Sequence, residues 1–303
     1  MTDETPPKKM QISIAYSPDT DDAFMVHALR QRHVDWEEFD FTFTVGDIQE
    51  LNDAARQGVY DITAISVGAY PNLRDHYLLM PVGASIGDEF GPAIVTRPDS
   101  SQRLQDLAGR RIAIPGLNTS AHIAAQCLFG PFTPLPMYFM EIREAVISGR
   151  VDAGILIHEL QLDPASEGLR KISDLGRLWH DRFRLPLPLG ANAIRRSLPA
   201  PVIAALTKIY RKSIEVGLAN RDSTIASAVH AAAARENLDT TKGDRYISMY
   251  VNHRSLEFQD DVLAGIRELF DQGSKLGLFT ALDLSENLST RELGGLHEHT
   301  SHC

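Results

Sequence analysis

The chain has 303 residues, 43% of them hydrophobic and 23% charged, a balance that fits a globular protein with room for two domains of ordinary size. With 40 acidic against 30 basic residues the net charge is −10, and no basic run follows the pattern of a phosphate-tracking surface, so nucleic acid is excluded as a partner. No apolar run approaches the roughly 18 residues that would span a bilayer, and the polar start from Met1 to Met10 lacks the apolar core of a secretory signal, so a cytoplasmic protein with no membrane partner is expected. Cys127 and Cys303 are too few for a disulfide framework and fit a reducing compartment. The tail containing His297, His299, His302 and Cys303 has metal-ligand residue types but reads as a polar terminus with no role.

In chain order, Gln11–Tyr16 alternates and is β-branched, a first strand, and Ser17-Pro18-Asp19-Thr20-Asp21-Asp22 follows as a turn dense in capping residues before a helix from Ala23 to Arg32. A strand, a polar loop and a helix start in succession form a standard place for backbone N–H groups to meet a polar ligand. The three aspartates would repel an anion there unless they point outward or serve the cap. Phe39–Val45 alternates as a second strand. Asp47 caps a helix that runs to about Gln57 and ends at Gly58, and Tyr60–Ser66 is a third strand. Leu78–Ser85 and Gly91–Arg97 read as further strands, and the turn-rich run from Pro98 marks a boundary.

The second unit opens with a strand at Arg111–Ile114. Thr119 and Ser120 stand before a helix from Ala121 to about Leu128, where they bring hydroxyl and N–H groups to a helix start or, equally, serve as its cap. Asp152–Ile157 is a buried strand that gives out on His158 and Glu159. Ligands in open α/β sheets collect outside the carboxyl ends of strands, so His158 is set to take a proton from one, or else simply to cap the strand. The segments Gly58 to Ile65 and Gly149 to Ile155 share a helix end, a glycine, an aspartate and a strand, which points to two similarly built α/β lobes around a central cleft. The proline-rich run Arg184–Gly190 reads as a stiff, extended hinge or cleft wall. Ile203–Leu218, Ser223–Arg235, Arg245–Tyr250 and Asp261–Leu276 then read as helices packed on the first lobe. The expected division is therefore 1–97 with 187–303 as one lobe and 98–186 as the other.

Several segments together carry a family resemblance. They include Ser17-Pro18 with Asp22 and Phe24, Asp47 with Leu51-Asn52, Ala69-Tyr70 with Arg74-Asp75, Gly91-Pro92, and Pro115-Gly116 with Thr119-Ser120-Ala121. Ala153 through Glu159, Asp174-Leu175-Gly176, Leu185 through Gly190 and Tyr250-Val251-Asn252 complete the set. From about Ile14 to Phe279 the chain resembles the MqnA/MqnD family of the futalosine route to menaquinone, which has a type II periplasmic-binding-protein fold. Within that family the Ile-His-Glu motif is closest to the 1,4-dihydroxy-6-naphthoate synthases.

The resemblance implies a lyase that acts on cyclic dehypoxanthine futalosine, a small carboxylated substrate, without a metal or redox cofactor, as a monomer or homodimer. His158 is implied as the proton acceptor, with substrate contacts at Ala64, Ile65, Ser66, Thr119 and Ser120 and with Asn52 nearby. Two departures stand out. The family pattern commonly has lysine where this chain has Ala64, which removes a cation that could pair with a carboxylate, and its first loop often reads Ser-Pro-Cys-Pro-Asn-Asp. A binding protein for a small carboxylate and a chorismate dehydratase of the same pathway share the fold and are the alternatives.

Overall fold

A computed structural model describes residues 9–232 and 238–289. The end of the expected helix Ser223–Arg235, the first eight residues and the His297–Cys303 tail lie outside the described residues. The strands are β1 (Met10–Tyr16), β2 (Phe39–Val45), β3 (Ile62–Ser66), β4 (Tyr77–Leu79), β5 (Ser85–Gly87), β6 (Ala93–Thr96), β7 (Arg111–Ile114), β8 (Thr133–Pro136), β9 (Ala153–Leu156), β10 (Arg170–Asp174) and β11 (Leu187–Arg195). The helices are α1 (Thr20–Arg30), α2 (Ile48–Ala55), α3 (Ser120–Phe129), α4 (Glu141–Ile147), α5 (Leu175–Phe183), α6 (Ala200–Ala219), α7 (Arg221–Ala231), α8 (Thr240–Tyr250), α9 (His253–Leu256) and α10 (Asp260–Lys275).

Two sheets share one plan. The first runs β2-β1-β3-β11-β4, with β5 also paired to β11, and the second runs β10-β6-β9-β7-β8. In each, a first strand lies parallel between the two that follow it, β1 between β2 and β3 and β7 between β8 and β9. A strand from outside that unit then adds antiparallel, β11 against β3 and β6 against β9. The antiparallel strands are where the chain crosses over. β6 belongs to the second sheet, so the expected boundary at residue 97 falls one strand late, and the chain changes sheet between Gly87 and Ala93.

Of the two expectations for the Arg184–Gly190 run, hinge or cleft wall, the structure fits the second. From Leu187 it is β11, paired to three strands of the first sheet. Proline cannot donate to a ladder, and the pairing with β5 shifts register between Pro188 and Gly190. The expected strand Leu78–Ser85 is two short strands, β4 and β5, separated by a bend.

Packing follows burial. β3 and β9 are buried along their whole lengths, as strands covered on both faces must be. Helix α1 buries Phe24, Met25, Val26, Ala28 and Leu29 and packs against α6, α7 and α8. One apolar cluster runs through both sheets and includes Ile65 and Val67 together with Ile112, Ile114 and Ile123. The lobes touch where the turn after β3 meets the start of α3. A Cβ added at Gly68 would lie 2.5 Å from Ile123 Cδ1 and 3.1 Å from the Ser120 backbone, so a side chain there would force Ile123 to move. The C-terminal helices do not all stay on the first lobe, because α8 also packs on the turn that carries His158, and α10 packs on α3.

Candidate active site

Strand ends from both sheets converge on one cavity of about 650 Å³ of empty space, its mouth included. Ala64, Ile65, Ser66, Thr119, Ser120 and His158 all line it. Asn52 does not. It is fully buried behind the wall, where its amide donates to Ser66 Oγ at 3.1 Å and its carbonyl oxygen accepts from Ser66 N–H at 2.9 Å. Asn52 is therefore near the cavity, as the resemblance implied, but supports Ser66 rather than lining the cavity as a substrate-binding residue would.

The Thr119 and Ser120 hydroxyls are already engaged. Thr119 Oγ1 caps α3 by accepting from His122 N–H at 3.3 Å and donates to Gly116 O at 2.8 Å. Ser120 Oγ accepts from Gly68 N–H at 2.9 Å and donates to Leu189 O at 2.7 Å, bridging the two lobes. What this corner offers a ligand is the first-turn N–H groups of Ser120 and Ala121, with the positive end of the α3 dipole behind them.

His158 follows β9 after a single residue and opens the 3₁₀ turn His158–Leu162. Its backbone is left-handed, with φ of 51°, a conformation that costs a non-glycine residue of order 1–3 kcal/mol and persists only where the surroundings fix it. The side chain is 1% exposed and packs edge-on against Phe139, with ring centroids 4.0 Å apart. Glu159 is buried beside it. One oxygen of Glu159 accepts from both Thr20 N–H at 3.1 Å and Thr20 Oγ1 at 2.6 Å, and the other lies 3.8 Å from His158 Nδ1.

The first-lobe wall is acidic. Asp19, Asp21 and Asp22 line the cavity, and among the described residues no lysine or arginine does. Asp21 accepts from Ser85 Oγ at 2.5 Å, and Asp22 accepts from Ser17 N–H at 3.0 Å. Burial, reinforced by the neighbouring Asp22 carboxylate, pushes the Asp21 carboxyl up to about 7. Burial likewise raises Asp22 to about 6, against the stabilising hydrogen bonds from Ser17. The aspartates thus neither turn outward nor simply cap the helix. Nothing in their local pattern told these alternatives apart, although their position equivalent to Thr119 and Ser120 in the other unit was a signal.

The remaining wall comes from α8 and the His158 turn. Tyr246 and Tyr250 line the cavity with Gln161, and Gln161 Nε2 donates to Tyr250 Oη at 3.0 Å. Burial pushes both phenols above their ordinary range, so both stay neutral hydrogen-bonding groups. Sequence reading missed all three residues as cavity lining.

Two lobes of like topology, joined by crossovers and closed on a cavity at their strand ends, define the periplasmic-binding-protein-like class of fold. The alkanesulfonate-binding protein of Xanthomonas axonopodis pv. citri has this fold, with a TM-score of 0.71 at 15% identity over 93% of this chain and 98% of that one. A crystal structure of a protein from Archaeoglobus fulgidus is more similar, with a TM-score of 0.82 at 37% identity over 89% of this chain and 98% of that one. The chain belongs to the menaquinone biosynthesis family, whose profile matches residues 12–275. The 1,4-dihydroxy-6-naphthoate synthase of Streptomyces coelicolor is 33% identical over 89% of this chain and 95% of its own length. The enzyme of the same name from Thermus thermophilus is 30% identical, covering 88% and 95% respectively.

Proposed function

We propose that the chain is a cytoplasmic carbon–carbon lyase that converts cyclic dehypoxanthine futalosine to 1,4-dihydroxy-6-naphthoate, with His158 as the proton acceptor. The observation that carries this reading is the position of His158, buried at a strand end and lining the same cavity as Ser66 and the start of α3. In this reading His158 takes a proton from the bound substrate, the electron pair left behind drives cleavage of a C–C bond, and formation of an aromatic ring draws the step forward. While the abstracted proton stays on His158 until it is released to solvent, the departing carbon fragment takes up a second proton. Asp21, which retains a proton close to neutral pH, is suited to supply it.

The cavity would orient the substrate by its two unlike walls. A carboxylate would sit against the N–H groups that open α3, and hydroxyls would face Asp21, Ser85 and Gln161. Lobe closure would exclude water from the reacting atoms. The test is incubation of the purified protein with the cyclic futalosine compound, followed by mass detection of the naphthoate. Absence of product from intact, folded protein would refute the assignment.

One observation supports a second reading. With three aspartates and, among the described residues, no lysine or arginine lining the cavity, a family member that takes a hydroxyl-rich substrate without a carboxylate would also be served. Binding measured for the substrate beside its decarboxylated analogue separates the two, since equal affinity favours the second.

A further inference from the structure

The Glu159 carboxylate joins the turn of the candidate base to the opposite lobe at the start of α1, as Gln161 joins the same turn to Tyr250 of α8. Its two oxygens have different tasks. One takes the N–H and hydroxyl of Thr20 at 3.1 and 2.6 Å, while the other stands 3.8 Å from His158 Nδ1. Thr20 is the first residue of α1, so the carboxylate also satisfies an otherwise orphaned first-turn donor at the positive end of that helix dipole. Both residues are buried, Thr20 at 0% and Glu159 at 6% exposure. The preceding residue is His158, held at φ of 51°, a backbone state that needs an external restraint to persist.

We infer that Glu159 is a positioning residue that ties the His158 turn to the start of α1, so that the imidazole reaches its working orientation only when the lobes close on each other. The inference rests on the reading of His158 as proton acceptor. The tie crosses the cleft. Opening the lobes separates Thr20 from Glu159, removes the restraint next to His158, and lets its backbone relax to an ordinary conformation. Closure over a ligand restores the tie and with it the direction in which the ring faces. Glu159 thereby makes presentation of the base conditional on a shut cavity, which protects the reactive arrangement from solvent.

The test uses the full chain and four variants: Glu159→Ala, Thr20→Val, Thr20→Ser and the double variant Glu159→Ala/Thr20→Val. Steady-state turnover of the cyclic futalosine substrate should show kcat lowered about 10- to 100-fold in Glu159→Ala, the scale of a misplaced catalytic group, with KM changed less than about threefold. Thr20→Val should lower kcat in the same sense, Thr20→Ser should restore it, and the double variant should be no worse than Glu159→Ala, as expected for two halves of one contact. Additive losses, or a raised KM with kcat intact, would overturn the inference. A second measurement does not depend on turnover. Hydrogen exchange in Glu159→Ala should accelerate at least tenfold in the 158–162 turn and at the start of α1, with the sheet amides unchanged. Unchanged exchange in that turn refutes the tie itself, whereas altered exchange in a protein that never produces the naphthoate refutes the proposed reaction and leaves the tie standing.

Discussion

The corner from β1 to α1 and the corner from β7 to α3 hold equivalent places in their two sheets, and both open onto the same cavity. They arm it in opposite ways. The first puts Asp21 and Asp22 into its opening helical turn, while the first turn of α3 carries no acidic residue. A helix start is a site of positive potential by default, so on the first lobe the protein has filled that potential with its own carboxyls. On the second lobe the cap is made by the neutral Thr119, and the N–H groups remain for a ligand. A repeated backbone plan can therefore yield a donor wall facing an acceptor wall, which orients an asymmetric substrate between them.

The largest expected effect tests whether chemistry belongs to either wall or to the turn between them. His158→Gln keeps a polar side chain of similar reach but cannot take up a proton, so turnover should fall about 100- to 10,000-fold. Substrate affinity should stay within about tenfold, the cost of one neutral hydrogen bond. A variant that keeps its rate would make His158 a structural residue and transfer the chemistry to the acidic wall.

Asp21→Asn addresses the acidic wall directly. The folded protein retains a proton on Asp21 up to about pH 7, whereas an unfolded aspartate releases it near pH 4. The folded state thus binds more protons across that window, and the stabilising contribution of protonated Asp21 is lost as pH rises toward 7. Asparagine carries no such penalty. Urea unfolding should show the stability of Asp21→Asn relative to the parent rising by about 2–3 kcal/mol between pH 5 and pH 8. Parallel curves would mean that Asp21 is charged throughout and that the walls differ less in charge than their geometry suggests. Asp22, raised to about 6 by burial, titrates in the same window in parent and variant alike and cancels from the comparison.

The two corners were also unequally legible in the sequence. Thr119 and Ser120 could be assigned to a helix start because capping is a local pattern, and β2 and β7 match their expected spans because alternation is local too. The acid of the first corner was visible, but the direction of the aspartates depends on Ser85, which lies 64 residues away from Asp21. Asn52 was placed near the site by the family resemblance alone, and only the fold shows that it stands behind the wall, bonded to Ser66. β8 and β10 were missed because both are edge strands of the second sheet, where proline and charge are tolerated that a central strand would exclude. β11 was read as an extended cleft wall, and Leu189 and Gly190 do line the cavity, but Pro186 and Pro188 hid that the run enters a strand in the middle of a sheet. Tyr246 and Tyr250, four residues apart, look like any apolar helix stripe, and nothing in that spacing says that the stripe faces a cleft.

Ala64→Lys changes the balance between the walls by bringing a cation to a lining position that is only 3% exposed. If the substrate carboxylate lies within its reach, affinity should tighten roughly tenfold, the scale of one charge-assisted hydrogen bond. Calorimetric titration would read it. Unchanged affinity would assign the carboxylate to the α3 N–H groups alone, and weaker binding would mean that the ammonium had paired with the aspartates and blocked their hydroxyl contacts.

The smallest expected effect decides how the second wall binds. Thr119 Oγ1 is committed to the cap and to Gly116 O, so Thr119→Ala should cost about 1 kcal/mol of stability, as loss of an N-cap does, and Thr119→Ser should recover it. Ligand affinity should barely change in either variant, because the groups that meet the ligand are backbone N–H groups that no side-chain substitution removes. Denaturant unfolding and titration calorimetry on the same preparations separate the two quantities. A loss of affinity with no loss of stability would show that the hydroxyl turns from its cap to the ligand. The second corner would then act through side chains as the first one does, and the contrast between the walls would reduce to one of charge alone.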